Sequence, residues 1–320
     1  MWNQTSHTEF IIMGFPEFPK HQFLLFTLFV SVYLLTLLEN VLLLVTIWLN
    51  SHLRTPMYFF LGNLSLLEIF YVSVTMPKLF SNLLLGEKTI TLGGCLTQLF
   101  FFLSLASSEC FLLATMAYDR YLAICHPLHY ASLMNHRICT ILSLASWLGG
   151  FLASFPSVVM ISNLRFCSKS TIRHFFCDLS PLLTLSCTDT SFIERLDFLA
   201  ALAVLMTSLL VTGMSYASIF CTVAKIPSTK GKRKAFSTCV SHLTVVSMFY
   251  ATTIFMYARP KAIGTFDLNK MVSILYTVVA PFLNPIIYSL RNRDVRETLR
   301  RALRNLATFP ECFATGRLKQ

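Results

Sequence analysis

Seven runs of mostly apolar residues, at about 23–49, 57–85, 93–125, 138–162, 194–225, 236–258 and 269–290, leave this chain few ways to fold. A helix needs about 20 such residues to cross a hydrocarbon layer about 30 Å thick, and each run is long enough. In lipid every backbone N–H and C=O has to be satisfied within its own segment, so the runs are expected as helices packed side by side. The expected fold class is therefore an all-α membrane protein, a seven-transmembrane helix bundle over 23–290 with a leader at 1–22 and a tail at 291–320. With 55% hydrophobic and only 13% charged residues in a chain of 320, little is left over for a separate soluble domain. The first twenty residues carry Glu9, Glu17 and Lys20 and lack the basic start and apolar centre of a secretory signal, so the first run is expected to direct insertion.

A net charge of +11 raises the question of nucleic acid, but the basic residues lie in short connections between apolar runs, where they report orientation instead. Arg54, Arg120, Arg137, the run Lys225 to Lys234 and the cluster from Arg291 to Lys319 fall on one side, which is expected to be cytosolic. The N-terminus is then outside. Lys230-Gly231-Lys232-Arg233-Lys234 is suited to halting transfer and to meeting anionic membrane lipid, at about 1 kcal/mol per basic residue. Asn3-Gln4-Thr5 is a glycosylation acceptor if outside, whereas Asn63-Leu64-Ser65 has the same form inside an apolar run and is not expected to be modified. In the tail, Val295, Leu299 and Leu303 share one face among arginines, the pattern of a short interfacial amphipathic helix. Pro156 in the fourth run and Pro281 with Pro285 in the seventh are expected to bend their helices. No internal repeat supports the inverted-repeat plan of many transporters, and the mid-membrane acids are too few for a polar path through a channel. No nucleophile–base pair supports an enzyme.

Four of the ten cysteines, Cys95, Cys167, Cys177 and Cys187, fall outside, in an oxidising compartment, where three pairings are open. Cys110, Cys125, Cys139, Cys221 and Cys239 lie in or near spans and are read as small packing residues. Cys312, next to a basic helix, is a candidate for acylation. His174 and Asp178 flank Cys177 as metal ligands might be expected to, but an oxidised Cys177 offers no thiolate, so no metal is expected. Glu68 and Glu109 are acids inside runs, each costly without a proton, a cation or a hydrogen-bond partner. If the two lie together, like charges cannot both ionise unaided, so either they share a cation or proton or both stay neutral and hydrogen-bonded.

At the foot of the third run stands Met116-Ala117-Tyr118-Asp119-Arg120-Tyr121-Leu122-Ala123-Ile124-Cys125. This string resembles the signature of rhodopsin-like G-protein-coupled receptors, and in full that of their olfactory receptor branch. The resemblance extends over nearly the whole chain. Pro56 to Ser65 (Pro-Met-Tyr-Phe-Phe-Leu-Gly-Asn-Leu-Ser), Ser215-Tyr216, Lys234 to Leu243 (Lys-Ala-Phe-Ser-Thr-Cys-Val-Ser-His-Leu) and Pro281 to Asn292 (Pro-Phe-Leu-Asn-Pro-Ile-Ile-Tyr-Ser-Leu-Arg-Asn) are similar to the same branch. Glu39 before Asn40 departs from its more usual Gly, and Phe249-Tyr250 stands where most other rhodopsin-like receptors carry a Cys-Trp-x-Pro toggle.

The resemblance implies an odorant receptor in the plasma membrane of olfactory cilia, in which a small volatile ligand activates a heterotrimeric stimulatory, olfactory-type G protein and cyclic-AMP signalling. A rhodopsin-like receptor for a non-odorant metabolite is the nearest alternative. It further implies disulfides Cys95–Cys177 and Cys167–Cys187, and a sodium pocket near Glu68, Glu109, Ser65 and Asn284. By family position and helical facing, the ligand should meet Phe102, Leu103, Ala106 and Ser107 from the third helix, Leu179 from the outer loop, and Ala200 and Val204 from the fifth. Thr253, Ile254 and Tyr257 should come from the sixth and Ser273 and Thr277 from the seventh. Asp119, Arg120, Tyr121, Tyr216, Tyr250, Asn284, Pro285 and Tyr288 are implied as the switch. From Leu96 to Ser108 no acid appears, so an amine would lack the counter-ion that amine receptors place there, and a neutral, mostly apolar ligand is expected. The absence of lysine from Met271 to Leu290 excludes a retinal Schiff base.

Overall fold

A computed structural model describes residues 9–166, 171–257 and 266–291. The expected tail helix, Cys312, Asn3 and Cys167 lie outside the described residues. Long helices form where the apolar runs fall: α1 Gln22–Leu49, α2 Pro56–Leu85, α3 Leu92–Cys125, α4 His136–Ser162, α5 Ser191–Lys225 and α6 Thr229–Tyr257. The last, α7, runs from Phe266–Ile274 through a π-helical turn at Leu275–Val279 into Ala280–Arg291. At 1.5 Å per residue the 28 residues of α1 span about 42 Å, more than a hydrocarbon core requires.

Among the described residues six helices are long and apolar enough to cross a membrane. The exception is α6, whose first turns carry Lys230, Lys232 and Arg233, leaving an apolar stretch of Cys239–Phe255. Outward faces are greasy, as a lipid solvent demands: Phe23, Trp48, Leu152 and Phe220 are all more than two-thirds exposed.

Boundaries follow local chemistry. Pro56 opens α2, where a missing N–H costs nothing, and Gly86 closes it in the left-handed region at φ 70°. The Thr91 hydroxyl caps α3 by accepting the Gly94 N–H at 3.1 Å, and Asn135 caps α4 through Ile138 at 3.0 Å. A proline absent from the sequence expectation, Pro77, sits inside α2 in addition to Pro156 and Pro285.

The most buried helix is α3, and its closest neighbour is α4. Gly150 lets them touch: a Cβ there would stand 2.1 Å from Ser108 Oγ and 2.5 Å from the Ser104 carbonyl oxygen. Hydroxyls stitch the seam, with Ser104 and Ser154 bonded to each other and Ser108 donating to the Trp147 carbonyl at 3.2 Å. Asn63 is used up in the same layer, accepting from Ser143 at 2.6 Å and from Trp147 Nε1 at 3.2 Å. Its acceptor-like triplet is thus part of the packing.

Over the outer end lies a sheet that the reading of 1–22 as a polar leader did not include. Strand β1 (Glu9–Ile12) pairs antiparallel with β2 (Thr89–Thr91) and parallel with β3 (Thr171–Ile172). Phe10 and Ile12 point inward and are fully buried, and Asn82 Nδ2 donates to the Ile12 carbonyl at 2.7 Å. Glu17 then reaches Lys270 of α7 at 2.6 Å.

Candidate functional site

The outer halves of the helices enclose a cavity of about 270 Å³, just under the range of about 300–1,000 Å³ usual for small-molecule sites. From α3 come Phe102, Leu103, Ala106 and Ser107, all four as expected, together with Cys110 one turn below. Leu179 of the outer loop, Val204 of α5 and Thr253 of α6 also line it as expected. The wall is completed by Tyr71, Leu205, Phe249 and Tyr276.

Four expected positions fall elsewhere. Ala201 takes the place of Ala200, a rotation of one residue on α5. Ile254 is 47% exposed on the outside of the bundle, because one residue on from Thr253 the helix has turned by about 100°. The Tyr257 side chain lies outside the described residues. Ser273 and Thr277 are fully buried but make intramolecular bonds instead: Thr277 donates to the Ser273 carbonyl at 2.6 Å, and Ser273 shares a 3.0 Å bond with Tyr276. The cause is the π-helical turn, which inserts extra backbone per turn, shifts the facing of α7 and leaves Tyr276 on the cavity side.

The lid above is set by the Cys95–Cys177 disulfide, whose Cα atoms are 5.4 Å apart. Cys177 also donates its N–H to Gln98 Oε1 at 2.9 Å, and Gln98 Nε2 donates to the Val74 carbonyl at 2.8 Å, so α2, α3 and the loop are joined at one point. Cys187 is disulfide-bonded as well.

His174 is 1% exposed, stacked on Phe175 and edge-on to Phe176. Its Nδ1 faces the Phe176 N–H at 3.5 Å, leaving Nε2 to donate to Ser273 at 3.1 Å. Burial, helped by Lys270 nearby, pushes its pKa down to about 3, so it stays neutral. His174, Cys177 and Asp178 thus each hold a separate structural bond. The Asp178 carboxylate accepts the Leu179 N–H at 2.9 Å, and burial raises its pKa to about 6.

Asp178 and Asp197 both line the cavity, and the sequence reading placed neither there. It looked for a counter-ion on the outer half of α3, whereas these acids arrive from the loop and from the outer end of α5.

Below the cavity, Glu68 is 1% exposed and accepts a hydrogen bond from Asn284 Nδ2 through Oε1. Its other oxygen has no hydrogen-bond partner among the described residues, and neither does Asn284 Oδ1. Glu109 is close enough for the two carboxyls to repel when charged, and Ser65 is buried in the same region. These are all oxygen groups, two of them carboxyls, and two of the oxygens have no partner among the described residues, a setting that a proton or a hard cation would offset.

At the inner end Arg120 Nη2 pairs with Asp119 Oδ2 at 3.2 Å, and Tyr130 donates to the other Asp119 oxygen at 2.7 Å. Asp119 is fully buried and Arg120 Nε has no partner among the described residues. Tyr216 is turned away from Arg120: its hydroxyl donates to His242 Nδ1 at 2.7 Å, while His242 Nε2 donates to the Leu113 carbonyl at 3.1 Å. His242 therefore ties α3, α5 and α6 together, a role concealed in the sequence by its plain setting in Ser241-His242-Leu243. Tyr121 bonds His126 at 3.0 Å, and Tyr288, bearing a buried hydroxyl, stands on α7 three residues past Pro285. Tyr250 packs edge-on against Phe249, which forms the cavity floor, so a contiguous chain of side chains leads from the cavity toward this cluster. Between the inner ends of α5 and α6 a second cavity of about 840 Å³ is bounded by Tyr216, Phe220 and Phe236, with Lys232 and Arg233 at its rim.

A family profile described as olfactory receptor matches residues 29–306. Among curated proteins, human Olfactory receptor 6P1 is 50% identical over 302 residues, covering 94% of this chain and 95% of that protein. Rat Olfactory receptor 226 is 52% identical over 92% of each chain, and mouse Olfactory receptor 6B9 is 49% identical over 95% of this chain and 96% of its own.

Proposed function

Because the chain belongs to the olfactory receptor family, a family of receptors and not of enzymes, we propose that it is an odorant receptor whose outer cavity takes a small, mostly apolar volatile ligand. What carries this reading is a mostly apolar cavity lined by Phe249, which leads through Tyr250 to the inner cluster. All seven helices cross the plasma membrane with the N-terminus outside, an arrangement favoured by the basic inner connections and by a disulfide at the opposite end. The expected address is the cilium of an olfactory neuron, with the basic inner rim against anionic lipid.

The ligand acts by binding one state of the bundle more tightly than the other, since equal affinity shifts nothing. In the resting arrangement Asp119, itself held by Tyr130, holds Arg120, and His242 holds Tyr216. Pressure on Phe249 favours outward movement of α6, which separates His242 from Leu113 and widens the cavity between α5 and α6. Arg120 and Tyr216 are then released to meet each other and the G protein, the stimulatory olfactory type coupled to cyclic AMP. Sodium or a proton at Glu68 and Glu109 neutralises the acids and favours the resting packing, with Asn284 as the α7 contact.

The test fills the cavity. A cyclic-AMP reporter screened against a panel of volatile molecules identifies an agonist, and Val204→Trp or Ser107→Phe is expected to reduce its potency at least about ten-fold at unchanged surface level. Full potency in both variants places the ligand elsewhere.

A further inference from the structure

Asp178 and Asp197 face one apolar cavity from two different elements, and their charges repel each other. Asp197 is 8% exposed, and the Ser157 hydroxyl of α4, a neutral group, lies beside it. Neither acid has an ion-pair partner among the described residues: the basic groups nearest the lid are engaged elsewhere, Lys270 with Glu17. A carboxylate pair walled by Phe102, Tyr71 and Tyr276 is costly in this setting unless a proton or a cation offsets it. The aromatic faces add a favourable surface for positive charge, Tyr71 lying 5.5 Å and Tyr276 5.9 Å from the Phe102 ring centre.

Resting on the odorant-receptor reading, we propose that the cavity recognises volatile primary alkylamines in their protonated form, with Asp197 as counter-ion, Asp178 beside it, and the alkyl chain laid against Phe102, Leu103 and Val204. An alkylamine resembles the end of a lysine side chain and stays protonated to about pH 10, so it enters neutral solution as the cation the pair lacks. A volume of 270 Å³ limits the ligand to a short chain. The lack of an acid on the outer half of α3 does not argue against an amine once the acids come from the loop and α5.

The experiment compares butylamine, hexylamine and octylamine with the alkanols of equal chain length on cells bearing the full-length receptor, with surface level measured in parallel. At least one amine is expected to act at about ten-fold lower concentration than its alkanol, and Asp197→Asn is expected to abolish that advantage, the amine losing about ten-fold more potency than the alkanol. Asp178→Asn, removing the neighbouring charge, should weaken amines by a smaller factor; it also serves if Asp197→Asn fails to reach the surface. Alkanols or other neutral volatiles that act through a cavity blocked by Val204→Trp, with amines inactive, overturn the amine proposal and leave the receptor reading standing. Amine potency unchanged in both Asn variants overturns it too. Silence to every class, together with no effect on nucleotide release, overturns both.

Discussion

Replacing Gly150 with valine is expected to remove the receptor from the cell surface. Within the membrane, helices associate through close packing and not through exclusion of water, so the α3–α4 seam depends on residues small enough for backbones to touch. A Cβ at position 150 would overlap Ser108 Oγ at 2.1 Å and press on the Ser104 carbonyl and Ser108 nitrogen at 2.5 Å. Two of these are backbone atoms on the most buried helix, which cannot swing aside as a flexible side chain does. The cost should exceed the roughly 1–3 kcal/mol of ordinary overpacking, a large part of the stability of a typical domain. Gly213 on α5 is the control, because a Cβ there meets nothing within 4 Å. Flow cytometry of an N-terminally tagged receptor reads both: Gly150→Val should be retained inside the cell and Gly213→Ala should match wild type. Equal surface levels for all three would mean that α3 and α4 are not packed as described.

Arg120→Ala is expected to silence signalling by at least about ten-fold while leaving surface level unchanged. Arg120 makes its one ion pair among the described residues with Asp119 and is about one-sixth exposed, so surface level is measured in parallel to separate lost packing from lost signalling. What is lost is the five-donor fork that, once freed, can reach Tyr216 or a G-protein backbone. Asp119→Asn should do the opposite and raise ligand-independent cyclic AMP, since it frees Arg120 and leaves Tyr130 with a weaker acceptor. Paired reporter and surface measurements decide the point: an Arg120→Ala receptor that signals fully would reduce the Asp119–Arg120 pair to a membrane-interface anchor.

Much of this arrangement could be read in the residues because lipid imposes a strong pattern. A run such as 93–125 has few alternatives to a helix, and α3 begins and ends within a residue of it. The four α3 positions in the cavity were expected from the family resemblance together with regular 3.6-residue facing, which an uninterrupted helix preserves. The same argument failed on α7, where the π-helical turn at Leu275–Val279 exchanges Tyr276 for Ser273 and Thr277, and nothing in that stretch of sequence marks the turn. Asp178 was missed because a loop's path over the bundle depends on tertiary contacts, here Gln98 with Cys177, and not on periodicity, and Asp197 because a counter-ion was sought on α3 and not on α5. Strand β1 carried no such signal: Phe10, Ile11 and Ile12 are all apolar, and the two-residue alternation appears only in their burial, with Phe10 and Ile12 inward and Ile11 outward.

Binding in the outer cavity and release of Arg120 at the inner end are linked most directly by nucleotide release from a purified heterotrimer. With the receptor in lipid discs and an agonist from the volatile panel, release of GDP from a stimulatory G protein should accelerate at least about five-fold, and Val204→Trp and Arg120→Ala should each abolish the acceleration. An agonist that demonstrably occupies the purified receptor yet leaves the release rate unchanged would contradict the coupling of the two ends.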